Sequence, residues 1–131
     1  MENCIFCKIA KEEIPSVKIW EDDKHLAILD INPNTEGMTL VLTKEHYDSD
    51  ITNMPDKNYK ELMIASKKVA TILKKKLKVQ RVGIVIEGLG VNHTHVKLYP
   101  LYNLGEGYIT TQLGPKKSNE ELNKIRDKII K

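Results

Sequence analysis

The segment at residues 91–100 carries the side chains whose types and spacing could do chemistry. It reads Val-Asn-His-Thr-His-Val-Lys-Leu-Tyr-Pro. Successive side chains of a strand point to opposite faces, so His93, His95 and Lys97 would share one face at spacings of about 6.8 Å. A row of two imidazoles and one ammonium group suits an anion, above all a phosphate. The plainer alternative is that this row is the solvated face of a half-exposed strand.

The second candidate for chemistry is a pair of cysteines, Cys4 and Cys7, in the spacing Cys-x-x-Cys. In a cytosolic chain such a pair indicates metal binding or redox chemistry more often than a structural disulfide. A thioredoxin-like pair follows a strand and begins a helix, whereas this pair precedes every predicted strand. Metal binding is therefore the better hypothesis, and two further ligands must come from elsewhere in the chain. The alternative is that both thiols are small buried hydrophobic groups.

The remaining sequence predicts the elements that must position these side chains. Apolar and β-branched runs indicate strands, a 3.6-residue apolar period indicates one long helix, and the capping-box spacing of Ser118 and Glu121 begins a C-terminal helix. The predicted strands cover residues 17–20, 25–30, 38–43, 81–87 and 93–99, and the predicted helices cover residues 4–10, 55–77 and about 118–130. This order is typical of a single α+β domain over residues 1–131, with a mainly antiparallel sheet of about five strands.

The composition indicates one globular domain and excludes several classes of protein. The chain has 131 residues, of which 40% are hydrophobic and 30% charged, enough for one core and too few for two ordinary domains. It contains no apolar run of membrane-spanning length and no secretory signal pattern, so we expect a cytoplasmic protein that does not bind membranes. A net charge of +3 with 5% aromatic residues does not indicate nucleic-acid binding. Small anionic molecules are the partners that this composition leaves open.

Three ordered segments together resemble the histidine-triad (HIT) family. Residues 93–99 (His-Thr-His-Val-Lys-Leu-Tyr) are similar to the family motif of histidines that alternate with apolar residues. Residues 4–16 resemble the start of bacterial members, and residues 30–46 resemble the loop on the ribose side together with the second histidine segment. The resemblance covers residues 4 to about 100 and is strongest to the zinc-bearing, diadenosine tetraphosphate (Ap4A) hydrolase-like branch, with a variant triad.

The resemblance implies a HIT-like fold, a homodimer and an enzyme that acts on purine nucleotides. The middle histidine of the family motif is the nucleophile, and the matching residue is His95. It would attack the α-phosphorus of a purine nucleoside phosphoramidate or a dinucleoside polyphosphate, and water would then hydrolyse the nucleotidyl-histidine intermediate. The implied nucleotide-binding residues lie in the loop after the second strand, the glycine turn and the triad strand: Asp30, Ile31, Asn32, Leu89, Gly90, Val91, His95 and Lys97.

The resemblance also supplies the two missing metal ligands. In zinc-bearing members the cysteine pair is completed by the histidine of the second segment and by the first histidine of the triad. The matching set is Cys4, Cys7, His46 and His93, which suits tetrahedral zinc. Because protein would fill all four positions, the ion would be structural, holding the N-terminal segment on the sheet next to His95.

Three departures from the family pattern lie on the phosphate side. Lys97 stands where the third histidine is usual, and a lysine ammonium is a poor proton shuttle near neutral pH. Met38 replaces a histidine, and Leu89 and Gly90 replace a Gln-Ser or Gln-Thr pair. We therefore expect a working hydrolase that is slower or differently selective. The alternatives are a nucleotide-binding protein with weak or no turnover, and a zinc-stabilised interaction domain with a vestigial phosphate site.

Overall fold

The computed structural model describes residues 3–104 and 113–131, and its elements follow the predicted order. The strands are β1 (Lys18–Glu21), β2 (His25–Leu29), β3 (Thr39–Thr43), β4 (Arg81–Val85) and β5 (His95–Leu101). The helices are α1 (Ile5–Ala10), α2 (Asp56–Leu77) and α3 (Asn119–Ile130), with a short 3-10 turn at Ile51–Asn53 that the sequence did not predict. Within the described residues, no helix combines the length and apolar character that a membrane span requires.

The five strands form one antiparallel sheet in the order β1-β2-β3-β5-β4. The predicted α+β fold with a mainly antiparallel sheet is therefore confirmed. Strand β5 lies between β3 and β4, with Leu42 opposite His95 on one side and Val85 opposite Lys97 on the other. This placement holds His95 and Lys97 on a strand that is paired along both edges.

Helices α2 and α3 cover one face of the sheet and bury the larger core. The apolar positions of α2 pack on Val96 and Leu98 of β5, and both of these side chains are fully buried. Helix α3 begins with the predicted capping box between Ser118 and Glu121 and buries three apolar side chains in the same core: Leu122, Ile125 and Ile129. The C-terminal helix is therefore an integral part of the domain.

The short helix α1 lies against the opposite face of the sheet. Phe6 and Ile9 of α1 pack with Leu26, Leu40 and Leu42 in a second, smaller cluster. Because side chains alternate along β5, His95 and Lys97 project to this face while Val96 and Leu98 project to the helix-covered face. The predicted alternation of the triad strand is thus observed.

Three strand bounds near the site differ from the prediction, since β4 ends at Val85 instead of residue 87 and both ends of β5 are shifted. Strand β5 begins at His95 instead of residue 93, because His93 turns back to donate its backbone N–H to Val91 O (2.9 Å). It also continues through Pro100 to Leu101. Proline is tolerated there because the pairing with β3 ends at Leu98, so the missing N–H interrupts no ladder on that side.

We predict that Leu122→Ala lowers the free energy of unfolding by about 2–5 kcal/mol, since it leaves a cavity in the larger core. Leu122 is 1% exposed. Urea denaturation measures the loss, with Ile64→Ala on the exposed side of α2 as the control (58% exposed). A loss for Leu122→Ala no larger than that of the control would contradict the packing of α3.

Candidate functional site

Four potential metal ligands converge where α1 meets the start of β5. Cys4 is the N-cap of α1, and its Sγ accepts the backbone N–H of Cys7 (3.4 Å), which places both thiols at the same end of the helix. His46 follows β3, and His93 precedes β5. The Sγ and Nδ1 atoms of Cys4, Cys7, His46 and His93 all lie within 4.8 Å of one another. The structure therefore brings together the four residues predicted as metal ligands.

Hydrogen bonds hold the His46 loop against the segment that carries His93. Thr94 donates its backbone N–H to Tyr47 O (2.9 Å) and its hydroxyl to Asp48 O (2.6 Å). Ser49 donates its backbone N–H to Asn92 Oδ1 (2.9 Å). The two histidines are thus fixed by hydrogen bonds that their neighbours in the chain form.

The spacing and chemistry of this cluster fit a tetrahedral zinc ion. Zinc–sulfur bonds of about 2.3 Å and zinc–nitrogen bonds of about 2.0–2.1 Å separate S and N ligands by roughly 3.5 Å. Nδ1 of His93 lies 3.3 Å from Cys4 Sγ and 3.4 Å from Cys7 Sγ, and Nδ1 of His46 lies 3.3 Å from Cys7 Sγ. His93 Nε2 donates to Thr43 O (2.7 Å), which leaves the lone pair on Nδ1, as ligation needs.

Burial favours the uncharged forms of two side chains in the cluster. Burial raises the pKa of the Cys7 thiol, and the hydrogen bond from the Cys4 side chain raises it further, so the thiol form of Cys7 is favoured. Burial lowers the pKa of His93, so its imidazole is neutral, the form that binds metals.

His95 is held as a neutral imidazole with its proton on Nδ1. Its Nδ1 lies 2.8 Å from His93 O, and because a carbonyl only accepts, Nδ1 must carry the proton. The lone pair is therefore on Nε2. Burial lowers the pKa of His95, which is 5% exposed, and the Lys97 charge lowers it further. The edge of Phe6 packs on this ring at 5.2 Å between centroids and also contacts His93 at 5.9 Å.

The ammonium group of Lys97 forms an ion pair with the carboxylate of Glu87. The side chains are 13% and 12% exposed, respectively. Sequence reasoning did not identify Glu87. The available signal was the antiparallel pairing of β4 with β5, because it places Val85 opposite Lys97 and leaves Glu87 only two residues beyond the end of β4.

The predicted ribose-side loop is braced by a segment near the C-terminus. Asp30 Oδ1 accepts the backbone N–H of Asn32 (2.8 Å), and the charge of Asp30 acts on His95. Ile31 is 48% exposed, and its carbonyl accepts the Lys117 N–H (2.8 Å), while Asn32 O accepts the Gly114 N–H (3.2 Å). A Cβ at Gly114 would meet Pro33 O at 2.0 Å, so only glycine permits this approach. Sequence reasoning did not predict this bracing.

The glycine turn before β5 is held in a conformation that glycine alone adopts readily. Gly88 and Gly90 have φ of +74° and +84°, and Ser49 Oγ donates to Gly88 O (2.8 Å). Leu89 is exposed at the tip of the turn, and Val91 packs against the α1 cluster. The turn thus lies directly before the segment that carries His93 and His95.

Met38, which departs from the family pattern, is part of the loop packing. Its side chain is 2% exposed, and its Sδ lies 3.4 Å from Asn34 N. A buried thioether at this position adds no polar group beside the triad strand.

With this geometry established, comparison with known proteins identifies the family. The model of the HIT domain matches residues 11–103. The chain belongs to the HIT family. An uncharacterized HIT-like protein of Borreliella burgdorferi is 43% identical over 116 residues, covering 82% of this chain and 83% of that protein.

Two further relatives of this HIT protein bear on its chemistry. The adenosine 5'-monophosphoramidase HNT1 of Saccharomyces cerevisiae is 31% identical over 132 residues, covering 97% of this chain and 80% of the yeast protein. The crystal structure of a zinc-bound histidine triad family protein from Mycobacterium smegmatis is similar with a TM-score of 0.80 and 26% identity. That likeness covers 98% of this chain and 94% of the mycobacterial chain.

We predict that Gly88→Ala destabilises this HIT protein more than Gly90→Ala does. Both substitutions force alanine into a left-handed backbone, which costs about 1–2 kcal/mol. Only at Gly88 does the new Cβ also meet a backbone atom, Ser49 O at 2.7 Å, whereas nothing lies within 4 Å at Gly90. Urea denaturation of the two variants measures the difference, and equal losses would contradict the close packing of the turn on Ser49.

Proposed function

We propose that this HIT protein is a nucleotide hydrolase or nucleotidyl transferase of the zinc-bearing, diadenosine tetraphosphate hydrolase-like branch. It cleaves at the α-phosphate of a purine nucleoside phosphoramidate or a dinucleoside polyphosphate, with His95 as the nucleophile. The observation that carries the proposal is the hydrogen bond from His95 Nδ1 to His93 O, which leaves the lone pair on Nε2. The name of the yeast relative, an adenosine 5'-monophosphoramidase, supports an AMP-like substrate.

The reaction has two displacements at the same phosphorus. His95 Nε2 forms a bond to the α-phosphorus, and the leaving group departs with the electron pair of its own bond to phosphorus. Water then attacks the nucleotidyl-histidine, gives up a proton to solvent and releases the nucleoside monophosphate with the imidazole restored. The Lys97 ammonium, on the same face of β5, neutralises charge that develops on the phosphate oxygens.

The two loops that flank the triad strand form the rest of the proposed site. Asp30, with Ile31 and Asn32, binds the ribose, because a carboxylate accepts hydrogen bonds from sugar hydroxyls. The turn at residues 88–91 supplies backbone N–H groups to the phosphate, since its two glycines let the backbone approach an anion closely. Homodimer formation and a cytoplasmic location remain predictions from the resemblance and the composition.

We propose that Cys4, Cys7, His46 and His93 hold a structural zinc ion. The donor set, the sulfur–nitrogen distances and the zinc-bound mycobacterial relative support this assignment. The bound ion supplies a rigid positive centre that ties α1 to the sheet and takes no part in the displacement. The chain itself keeps the His93 carbonyl beneath His95 through the Thr43 and Val91 hydrogen bonds of His93.

A second candidate function is nucleotide binding with weak or no turnover. The observation that favours it is the ion pair of Lys97 with Glu87. An ammonium that already has a carboxylate partner offers less net charge to a phosphate than a free one does. A phosphate site weakened in this way could bind a nucleotide without speeding its hydrolysis.

We predict that the wild-type protein releases AMP from adenosine 5'-phosphoramidate or from diadenosine tetraphosphate, and that His95→Ala slows this release by at least about a thousandfold. Chromatography of AMP measures the rate. His25→Ala is the matched control, because His25 is equally buried at 5% but is paired with Asp22 on another part of the sheet.

Three other outcomes would reject either the assignment of His95 as the nucleophile or the enzymatic function itself. Equal activity in His95→Ala and the wild type would exclude His95 as the nucleophile. If calorimetry shows that AMP binds but no substrate releases AMP, the function is nucleotide binding and not hydrolysis. Absence of any nucleotide affinity would leave only a zinc-stabilised interaction domain.

We predict that metal analysis finds about one zinc ion per chain, as a closed set of four ligands requires. The double variant Cys4→Ser, Cys7→Ser should lose the zinc and at least about 3 kcal/mol of unfolding free energy, because the free energy of metal binding is also folding free energy. A chelator should destabilise the wild type but not the variant. Unchanged stability after removal of both thiols would contradict a structural ion.

A further inference from the structure

The Glu87–Lys97 ion pair differs from the other charge pairs of the chain in its burial. Among the ion pairs formed by the described residues, it alone has both side chains less than one-fifth exposed. Both carboxylate oxygens of Glu87 are buried, and within residues 3–104 and 113–131 they have no hydrogen-bonding partner other than the Lys97 ammonium. The ammonium of Lys97 is therefore the group that compensates this buried charge.

Stability alone does not explain this pair. The free-energy cost of transferring two charges from water into the protein interior can exceed the gain from their mutual attraction. Well-packed apolar side chains of similar volume therefore often stabilise a protein equally well or better. The same face of the sheet already carries an apolar cluster that includes Leu40, the residue opposite Lys97. A pair of apolar residues would extend that cluster at lower cost, so a functional role is the better explanation.

The location of Glu87 connects it to the proposed phosphate site. Val85 is opposite Lys97 at the end of β4, and Glu87 follows two residues later, with its carboxylate in contact with the Lys97 ammonium. The charge of Glu87 acts on both His95 and Tyr99. The next residue, Gly88, is held by Ser49, so the backbone that carries the carboxylate is fixed.

We propose that Glu87 is a positioning residue that holds the Lys97 ammonium beside the phosphate attacked by His95. The proposal rests on the proposed function. A lysine ammonium has three N–H donors, so Nζ can bind Glu87 and a phosphate oxygen together. Without the carboxylate, a flexible four-carbon side chain tends to carry its charge toward water.

The pair is expected to affect the binding of a nucleotide and the rate of its cleavage in different ways. Because the carboxylate and the ammonium cancel, the pair adds little attraction for a bound phosphate. The ammonium nevertheless stands where negative charge grows during the displacement, so its stabilisation is larger in the transition state than in the ground state. Removal of the Glu87 charge should therefore lower kcat and raise the affinity for AMP.

The variant Glu87→Gln tests the proposal because it keeps the size of the side chain and removes its charge. We expect kcat for AMP release to fall about tenfold or more, since the ammonium is no longer fixed. We expect AMP to bind about threefold or more tightly by calorimetry, since a negative charge beside the phosphate is gone. Zinc content should equal that of the wild type, and Glu87→Asp should restore part of kcat.

Two results would overturn the positioning role. One is a wild-type kcat in Glu87→Gln. The other is a joint loss of Tm, AMP affinity and kcat, which indicates a merely structural pair. Glu61→Gln is the matched control, because it breaks the exposed Lys24–Glu61 pair (2.8 Å) and should change none of these values.

A failure of the proposed function can be told apart from a failure of this inference. If the wild type binds AMP but releases none from any substrate, the hydrolase function is rejected. The AMP affinities of variants at Glu87 and Lys97 then test the role of the ion pair. Tighter binding in Glu87→Gln with weaker binding in Lys97→Met supports an ammonium held at the phosphate. Unchanged affinity in both variants would place the pair outside the site and overturn the inference.

Discussion

The hydrogen bond between His95 Nδ1 and the His93 carbonyl oxygen is the interaction on which the rest of the site depends. At 2.8 Å it fixes the tautomer of His95, and burial keeps the ring neutral, so the lone pair remains on Nε2. The acceptor belongs to a residue whose own ring is held by Thr43 O and faces both thiols of the cysteine pair. One short segment of chain therefore orients the proposed nucleophile and contributes to the proposed zinc site.

This arrangement explains why a helix of six residues can serve as one wall of the site. A helix as short as α1 is unstable by itself in water. Its apolar side chains pack on the sheet, its two thiols face His46 and His93, and Phe6 contacts both His93 and His95. The N-terminal segment is thus fixed by the same residues that it helps to position.

Local patterns predicted most of the fold, whereas contacts between distant segments escaped prediction. The alternation along β5 and the periodicity of α2 depend on neighbouring residues, and both were confirmed. The convergence of Cys4, Cys7, His46 and His93 was expected only through the family resemblance, since spacing alone does not bring residues 4 and 93 together. Glu87 was missed because its role depends on strand register, and Gly114 because its contact with the loop after β2 spans about 80 residues of chain.

The tautomer of His95 is the most direct test of this account. Long-range ¹H–¹⁵N NMR correlations on the zinc-loaded wild-type protein at neutral pH report which ring nitrogen carries the proton, with His95→Gln to assign the signal. The structure predicts a protonated Nδ1 and an unprotonated Nε2. A proton on Nε2, or a doubly protonated ring, would show that His95 is not poised as the nucleophile.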